Sequence, residues 1–177
     1  MANAVLISIR PEWVEKILSG EKTLEVRKNR PKLETPFKCY IYCTNSGVAM
    51  GMWGKHGKVV GEFVCDKITW LNHVGFSGLP GIRLVAMRDM CTIDGSFDFS
   101  ESCLTTPQIE KYLGGKDGYA WHISKLEIYD TPKKLSKFLR PFENCIGKVC
   151  DEYGCAYCEN GHIKRPPQSW CYVEELK

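Results

Sequence analysis

The sequence lacks any apolar run near the roughly 20 residues that a membrane-spanning helix requires. It also lacks a basic start: residues 1–9 carry no charge and Arg10 is the first cation, which predicts a first β-strand and not a signal peptide. Internal repeats, heptads and low-complexity segments are absent as well. These absences argue against a membrane protein, a coiled coil and a repeat array, so a cytoplasmic location is expected.

The chain also has little excess charge. Its 24 lysines and arginines against 21 acidic residues leave a formal net charge of +3 over 177 residues. That balance is too mild to indicate nucleic-acid binding by itself, because such binding needs cations clustered on one face. Two basic runs are either solvated surface or phosphate contacts: Arg27, Lys28, Arg30 and Lys32, then Lys133, Lys134, Lys137 and Arg140.

Hydrophobic periodicity predicts an α+β fold in a single domain spanning residues 1–177. Strands are predicted at 5–9, 22–28, 37–44, 59–70, 119–129 and 169–176, with a weaker one at 84–90. Short helices are predicted from Pro11 to Leu18, from Thr105 to Tyr112 and near 135–139. Because no regular βαβ alternation appears, a mixed β-barrel of about five to six strands with short flanking helices is favoured over a doubly wound sheet.

The strongest motif is G-x-K-x-x-E-x-R, formed here by Gly20, Lys22, Glu25 and Arg27. Strict strand alternation places Glu25 and Arg27 on one face and Lys22 on the other. The three side chains therefore converge only if Lys22 lies in the turn before regular strand geometry begins. The alternative is a Glu25–Arg27 ion pair on a solvated strand face, with Lys22 exposed.

The motif and its position after the first helix resemble the ASCH family, as do residues 60–63, 126–135 and 165–173, the last of these resembling bacterial and phage members. The resemblance implies a PUA-like fold with a cleft lined by the motif, and RNA binding as the general activity. Some members act on RNA or modified nucleosides. One branch hydrolyses N4-acetylcytidine with a Lys, Thr and Glu set; Lys22 matches its lysine, but Glu25 stands where its threonine falls.

The chemistry of these residues suits a binding module for RNA, single-stranded DNA or a nucleotide. Arg27 offers a planar fork for phosphate or a base edge, and Glu25 can accept from the exocyclic amine of cytosine or adenine. Aromatic candidates for base stacking are Tyr40 or Tyr42, together with Trp53 and Trp170.

Two alternatives belong to other classes. The first is a hydrolase acting on RNA or a modified nucleoside, with Lys22 in acid–base catalysis and Glu25 assisting. The second is a protein-interaction module, which the Met50-Gly51-Met52-Trp53 segment would serve.

Half of the ten cysteines lie in the last 33 residues of the chain. Cys145, Cys150, Cys155 and Cys158 fall within an insertion at 144–164, and the C-x-x-C step at its end suits tetrahedral zinc. The sequence therefore predicts one structural zinc ion, with His162 or Cys171 able to replace Cys145. Reduced surface thiols and a redox pair at Cys155 and Cys158 are the alternatives.

Overall fold

The computed structural model describes residues 3–46, 54–75, 82–87, 99–141 and 161–176. Seven strands and two α-helices make up the regular structure of these ranges. They follow the order β1 (Asn3–Ile9), α1 (Pro11–Leu18), β2 (Leu24–Arg27), β3 (Phe37–Cys43), β4 (Lys58–Gly75), β5 (Ile82–Met87), α2 (Thr106–Leu113), β6 (Gly118–Lys134) and β7 (Trp170–Glu174). No helix in these ranges is long and apolar enough to cross a membrane.

The strands form one mixed sheet in the order β2-β6-β4-β3-β1-β7, and β5 pairs with β4 off this path. Only β1 and β3 run parallel among the described pairs, with Val5 opposite Cys39 and Ile9 opposite Cys43. The long strands β4 and β6 shift register three times along their ladder. Such irregularities bend strands and increase twist, which curves a sheet toward a barrel.

The two ends of the sheet lie close together, and side-chain hydrogen bonds join them where a closed barrel would have a backbone ladder. No backbone ladder joins β2 to β1 or β7 in the residues that the structure describes. Instead the Arg27 guanidinium on β2 donates from Nη2 to the Ser8 carbonyl on β1 at 2.7 Å and from Nη1 to Ser169 Oγ at 3.3 Å. We call this junction the seam. The predicted mixed α+β barrel is confirmed in class and approximate strand number, while the seam leaves it open along one line.

Helix α1 closes one end of the main core. Its apolar residues recur at helical spacing, so Val14 and Ile17 are buried against β1 and β3 together with Val5, Ile7 and Trp121. A second cluster beneath α2 joins Leu24 and Val26 to Ile109 and Leu113. Strand β2 therefore packs its aliphatic side chains under α2, which directs Glu25 and Arg27 to the other face.

Three element predictions need correction. The strand predicted at 22–28 begins at Leu24, and both of its faces are buried, so the charged face is not solvated. The strand predicted to end at Tyr129 continues to Lys134, because Lys133 and Lys134 pair with Val59 and Lys58 at the start of β4. The helix near 135–139 is one 3-10 turn over Leu135–Lys137.

Candidate functional site

A cleft of about 730 Å³ opens along the seam. Its floor is formed by the motif side chains, and its walls come from the end of β1, the α2 segment and the chain before β7. The lining residues with polar or aromatic side chains are Ser8, Arg10, Trp13, Lys22, Glu25, Arg27, Thr44, Ser46, Gln108, Tyr112, Gln168 and Ser169. Three cations face one carboxylate in this set, so the cleft suits an anionic, partly aromatic ligand.

The turn after α1 determines where Lys22 lies. Gly20 adopts a left-handed φ of 80°, which favours glycine, and the Lys22 amide then donates back to the Lys16 carbonyl at 2.9 Å. Lys22 consequently leaves the helix before β2 begins and turns toward the same side as Glu25. The condition that strand alternation sets for convergence, that Lys22 lies before the regular strand, is met, and the three motif side chains meet.

The Lys22 ammonium is fully enclosed, with 1% of its side chain exposed. It donates to the carbonyl oxygens of Leu24 and Ser102, each at 2.7 Å, and lies 3.2 Å from Glu25 Oε2. Its Nζ also lies over the Trp13 ring, 5.6 Å from the ring centroid. An ammonium has three N–H groups, and three acceptors surround this one, so its hydrogen-bonding capacity is used within the protein.

Glu25 links the two motif cations. Its Oε2 faces Lys22, and its Oε1 accepts from Arg27 Nη2 at 2.9 Å. The Arg27 side chain is 9% exposed, and its buried Nε finds no hydrogen-bond partner among the described residues. A buried donor without a partner is costly, and this one belongs to a side chain that lines the cleft.

The α2 segment supplies one wall of the cleft. The Thr105 amide donates to Gln108 Oε1 at 2.8 Å, which stabilises the first turn of the helix. Tyr112, on the last turn, is 41% exposed, and Lys28 Nζ lies 5.2 Å from the centroid of its ring. Burial of part of the side chain raises the pKa of the Tyr112 hydroxyl. This ring is an accessible aromatic face beside the cleft floor.

The opposite wall is the segment 166–169, which is fastened to β1. Ser8 Oγ donates to the Pro167 carbonyl at 2.6 Å, and the Ser8 amide donates to the Ser169 carbonyl at 2.8 Å. Two prolines restrict this segment further because each fixes its own φ. The wall is therefore held at a defined distance from β2.

The charged motif residues line the cleft, whereas the predicted stacking residues Tyr42 and Trp170 do not. Tyr42 is 4% exposed and packs in the core around Tyr40 and Phe138, away from the cleft. Trp170 packs against Trp121, with ring centroids 6.0 Å apart, and does not line the cleft. The aromatic residues at the cleft are Trp13 and Tyr112. Sequence reasoning assigned both to helices, where amphipathic spacing gave no sign that their rings face a ligand.

The remaining candidates lie outside the described residues. They are Trp53 and the four predicted zinc ligands Cys145, Cys150, Cys155 and Cys158. Of the proposed substitutes, His162 is exposed and Cys171 is half-buried, and burial raises the pKa of the Cys171 thiol to about 11. No cluster of three or more metal-ligating side chains occurs in the described part of the chain. The zinc site stays a prediction.

The fold and the cleft together define a small mixed-sheet domain with a charged cleft at an open seam. The family model described as "ASCH domain" matches residues 7–75, a range that contains the whole motif, and so confirms the ASCH resemblance. A search of curated proteins gave no match.

Solved structures of ASCH proteins from Zymomonas mobilis share the fold. The ASCH protein itself is 18% identical with a TM-score of 0.51, over 97% of this chain and 88% of that one. A variant with serine replaced by alanine is 17% identical with a TM-score of 0.54, over 97% and 89%. At this identity the likeness concerns the fold alone.

Proposed function

We propose that this protein binds single-stranded RNA, or a nucleotide of the same chemistry, in the cleft at the seam. The observation that carries the proposal is the convergence of Lys22, Glu25 and Arg27 on the floor of a 730 Å³ cleft. A site for RNA needs cations for phosphate and accessible rings for bases. Arg10 and Arg27 supply the cations, and Tyr112 and Trp13 supply the rings.

Glu25 and Arg27 offer the contacts that discriminate between ligands. Arg27 Nη1 carries a second N–H besides the one that it donates to Ser169 Oγ, and this group can donate to a phosphate or to a carbonyl on a base. Each oxygen of the Glu25 carboxylate already accepts from one cation and keeps a further lone pair. That lone pair suits the exocyclic amine of cytosine or adenine, so those bases should bind better than uracil.

The hydrolase alternative places Lys22 in acid–base catalysis. For that role its Nζ must reach a reacting atom, yet three acceptors and the Trp13 ring enclose it. The geometry therefore supports the binding function better. Incubation of labelled RNA with the protein, followed by gel analysis, tests for chain cleavage, and incubation of N4-acetylcytidine, followed by chromatography, tests for deacetylation. A binder leaves both compounds intact.

The decisive experiment is titration of a short, mixed-sequence, labelled single-stranded RNA at several salt concentrations. The variant is Arg10→Ala, which removes a cation with a 70% exposed side chain at the mouth of the cleft. Its matched control is Lys116→Ala, an exposed cation outside the cleft and outside both basic runs. We expect Arg10→Ala to weaken binding several-fold and to reduce the salt slope by about 0.7, the value for one phosphate contact on a single strand.

Equal effects of the two substitutions would contradict a site in the cleft and indicate diffuse attraction by surface charge. The absence of any RNA affinity in the unmodified protein would contradict the proposal itself. Competition by cytidine, adenosine and uridine monophosphates then tests Glu25, since the preference for an amino-bearing base should disappear in Glu25→Gln.

We further propose that residues 145–158 bind one structural zinc ion through Cys145, Cys150, Cys155 and Cys158. The support is the sequence spacing, since four thiolates form a closed tetrahedral site. Elemental analysis of the purified protein should give about one zinc per chain. Cys155→Ser should abolish that content, whereas Cys65→Ser, in the barrel core, should leave it unchanged.

A further inference from the structure

We infer that Lys22 is a positioning residue: it fastens the 99–104 segment to β2 and thereby sets the α2 wall of the cleft, without contacting the ligand. This inference rests on the proposed binding function for its effect on affinity, and on the structure alone for its effect on the wall. It assigns the motif lysine a role opposite to direct acid–base or phosphate contact.

The hydrogen bonds of Lys22 join two segments that are distant in sequence. One acceptor, the Leu24 carbonyl, belongs to β2, and another, the Ser102 carbonyl, lies 80 residues further along the chain. Ser102 is itself fully buried, so its carbonyl would lack a partner if the ammonium were removed. The Lys22 side chain therefore holds the Ser102 backbone against the start of β2.

Neighbouring contacts act in the same place. The Thr23 amide donates to the Glu101 carbonyl at 3.0 Å, and Cys103 Sγ donates to the Glu21 carbonyl at 3.4 Å. Ser102 Oγ donates to the Phe99 carbonyl at 2.6 Å and accepts from the Leu104 amide at 3.1 Å. We call these contacts, together with the two Lys22 bonds, the clasp. It holds the 99–104 segment along residues 21–24.

The clasp leads directly into the α2 wall of the cleft. Leu104 lines the cleft, and α2 begins two residues later, carrying Gln108 and Tyr112 along the same wall. The lateral position of α2 is fixed by the packing of Ile109 and Leu113 against the aliphatic residues of β2. The clasp fixes the start of the helix, and with it the distance between the Tyr112 ring and the cleft floor.

The test uses two variants that loosen the clasp from opposite sides. Lys22→Met removes the ammonium but keeps most of the side-chain length. Ser102→Ala removes the hydroxyl bonds inside the segment, leaves Lys22 and Glu25 intact, and changes a residue that does not line the cleft. Hydrogen–deuterium exchange of residues 21–24 and 99–113, and RNA affinity over a range of salt concentrations, are measured for both variants and for the double variant.

We expect faster exchange at Thr23, Leu104 and the first turn of α2 in each variant. RNA affinity should fall by about tenfold while the salt slope stays that of the unmodified protein, because no phosphate contact is lost. The double variant should lose less than the sum of the two single effects, since both loosen one structure. Lys22→Met also removes one of the two cations that contact Glu25. Ser102→Ala is therefore the variant that tests the position of the α2 wall without changing the charges of the motif.

Three results would overturn the inference: a salt slope reduced by about 0.7 in Lys22→Met, which marks a lost phosphate contact; unchanged affinity in Ser102→Ala; or unchanged exchange in both variants. If the unmodified protein binds no RNA, the proposed function fails, but the exchange measurement still decides whether Lys22 holds the wall. If Lys22→Met does not fold, Ser102→Ala carries the test.

Discussion

Two clusters of charged residues in this protein are built from the same parts but differ in what surrounds them. In the cleft, Glu25 lies between Lys22 and Arg27. On strands β3, β4 and β6, Glu62 accepts from Lys38 at 2.8 Å and from the hydroxyl of Tyr129, and Lys38 reaches on to Glu175 at 3.1 Å. We call these the cleft cluster and the strand cluster.

The two clusters differ in how many of their hydrogen-bond donors have partners and in whether an exposed ring lies beside them. In the strand cluster Lys133 Nζ lies over the Tyr129 ring at 3.6 Å, and none of its members lines the cleft. In the cleft cluster Arg27 Nε has no partner among the described residues, and the Tyr112 ring nearby is exposed. A carboxylate between cations is thus no sign of a site by itself. The cleft cluster lies in a concavity beside an exposed ring, whereas the strand cluster joins neighbouring strands.

The largest contrast is expected from removing the two carboxylates. Glu25→Ala leaves two buried cations without their shared partner, so we expect a loss of about 3–5 kcal/mol in the free energy of unfolding. Glu62→Ala should cost about 1.5–3 kcal/mol, because its partners are more exposed and can reach water. Urea denaturation measures both. A smaller loss for Glu25 than for Glu62 would contradict the assignment of the cleft cluster as the more enclosed of the two.

The two tyrosines should show opposite effects on binding and stability. Tyr112→Ala should weaken RNA binding by about 1–3 kcal/mol, the range for loss of one base–aromatic stack. Tyr129→Phe should leave binding unchanged and lower stability by about 1.5–3 kcal/mol through loss of its bond to Glu62. Ile128→Ala, at the other exposed large hydrophobic residue in the described ranges, is the control for Tyr112. Weakened RNA binding in Tyr129→Phe would remove the functional distinction between the clusters.

The smallest effect concerns acidification of the strand cluster. Burial opposes the charged form of Glu62, but hydrogen bonds from Lys38 and Tyr129 outweigh it and hold its pKa below the ordinary value of 4.5. A lowered folded pKa means that the unfolded chain binds more protons in this range. The stabilisation by Glu62 is therefore present above pH 4.5 and lost as the pH falls below it.

The measurement is the stability difference between the unmodified protein and Glu62→Gln at about pH 6 and about pH 3. We expect a difference of about 1–2 kcal/mol at the higher pH that shrinks at the lower one. A constant difference for Glu62→Gln would show that Glu62 titrates normally in the folded protein.

The motif geometry could be predicted from the sequence better than the cleft walls. The reason is the sequence separation of the residues that are in contact. The convergence of Lys22 with Glu25 and Arg27 depends on a glycine turn and strand alternation over eight residues. The contacts of Lys22 with Ser102 and of Arg27 with Ser169 join residues 80 and 142 positions apart, and no local pattern encodes them. The prediction that Tyr42 on β3 and Trp170 on β7 stack on bases rests on their being aromatic. Their burial depends instead on which face of a curved sheet points inward.

The seam has a consequence for how such a domain can diversify. Where two strands are joined by a backbone ladder, their spacing is fixed near about 4.8 Å whatever the sequence. Between β2 and β1 the contact in the described residues is instead a hydrogen bond from the Arg27 side chain to the Ser8 carbonyl. A single substitution at that position would alter the width of the opening while every ladder stays intact. The sheet can therefore change at this edge without any change in the ladders that support it.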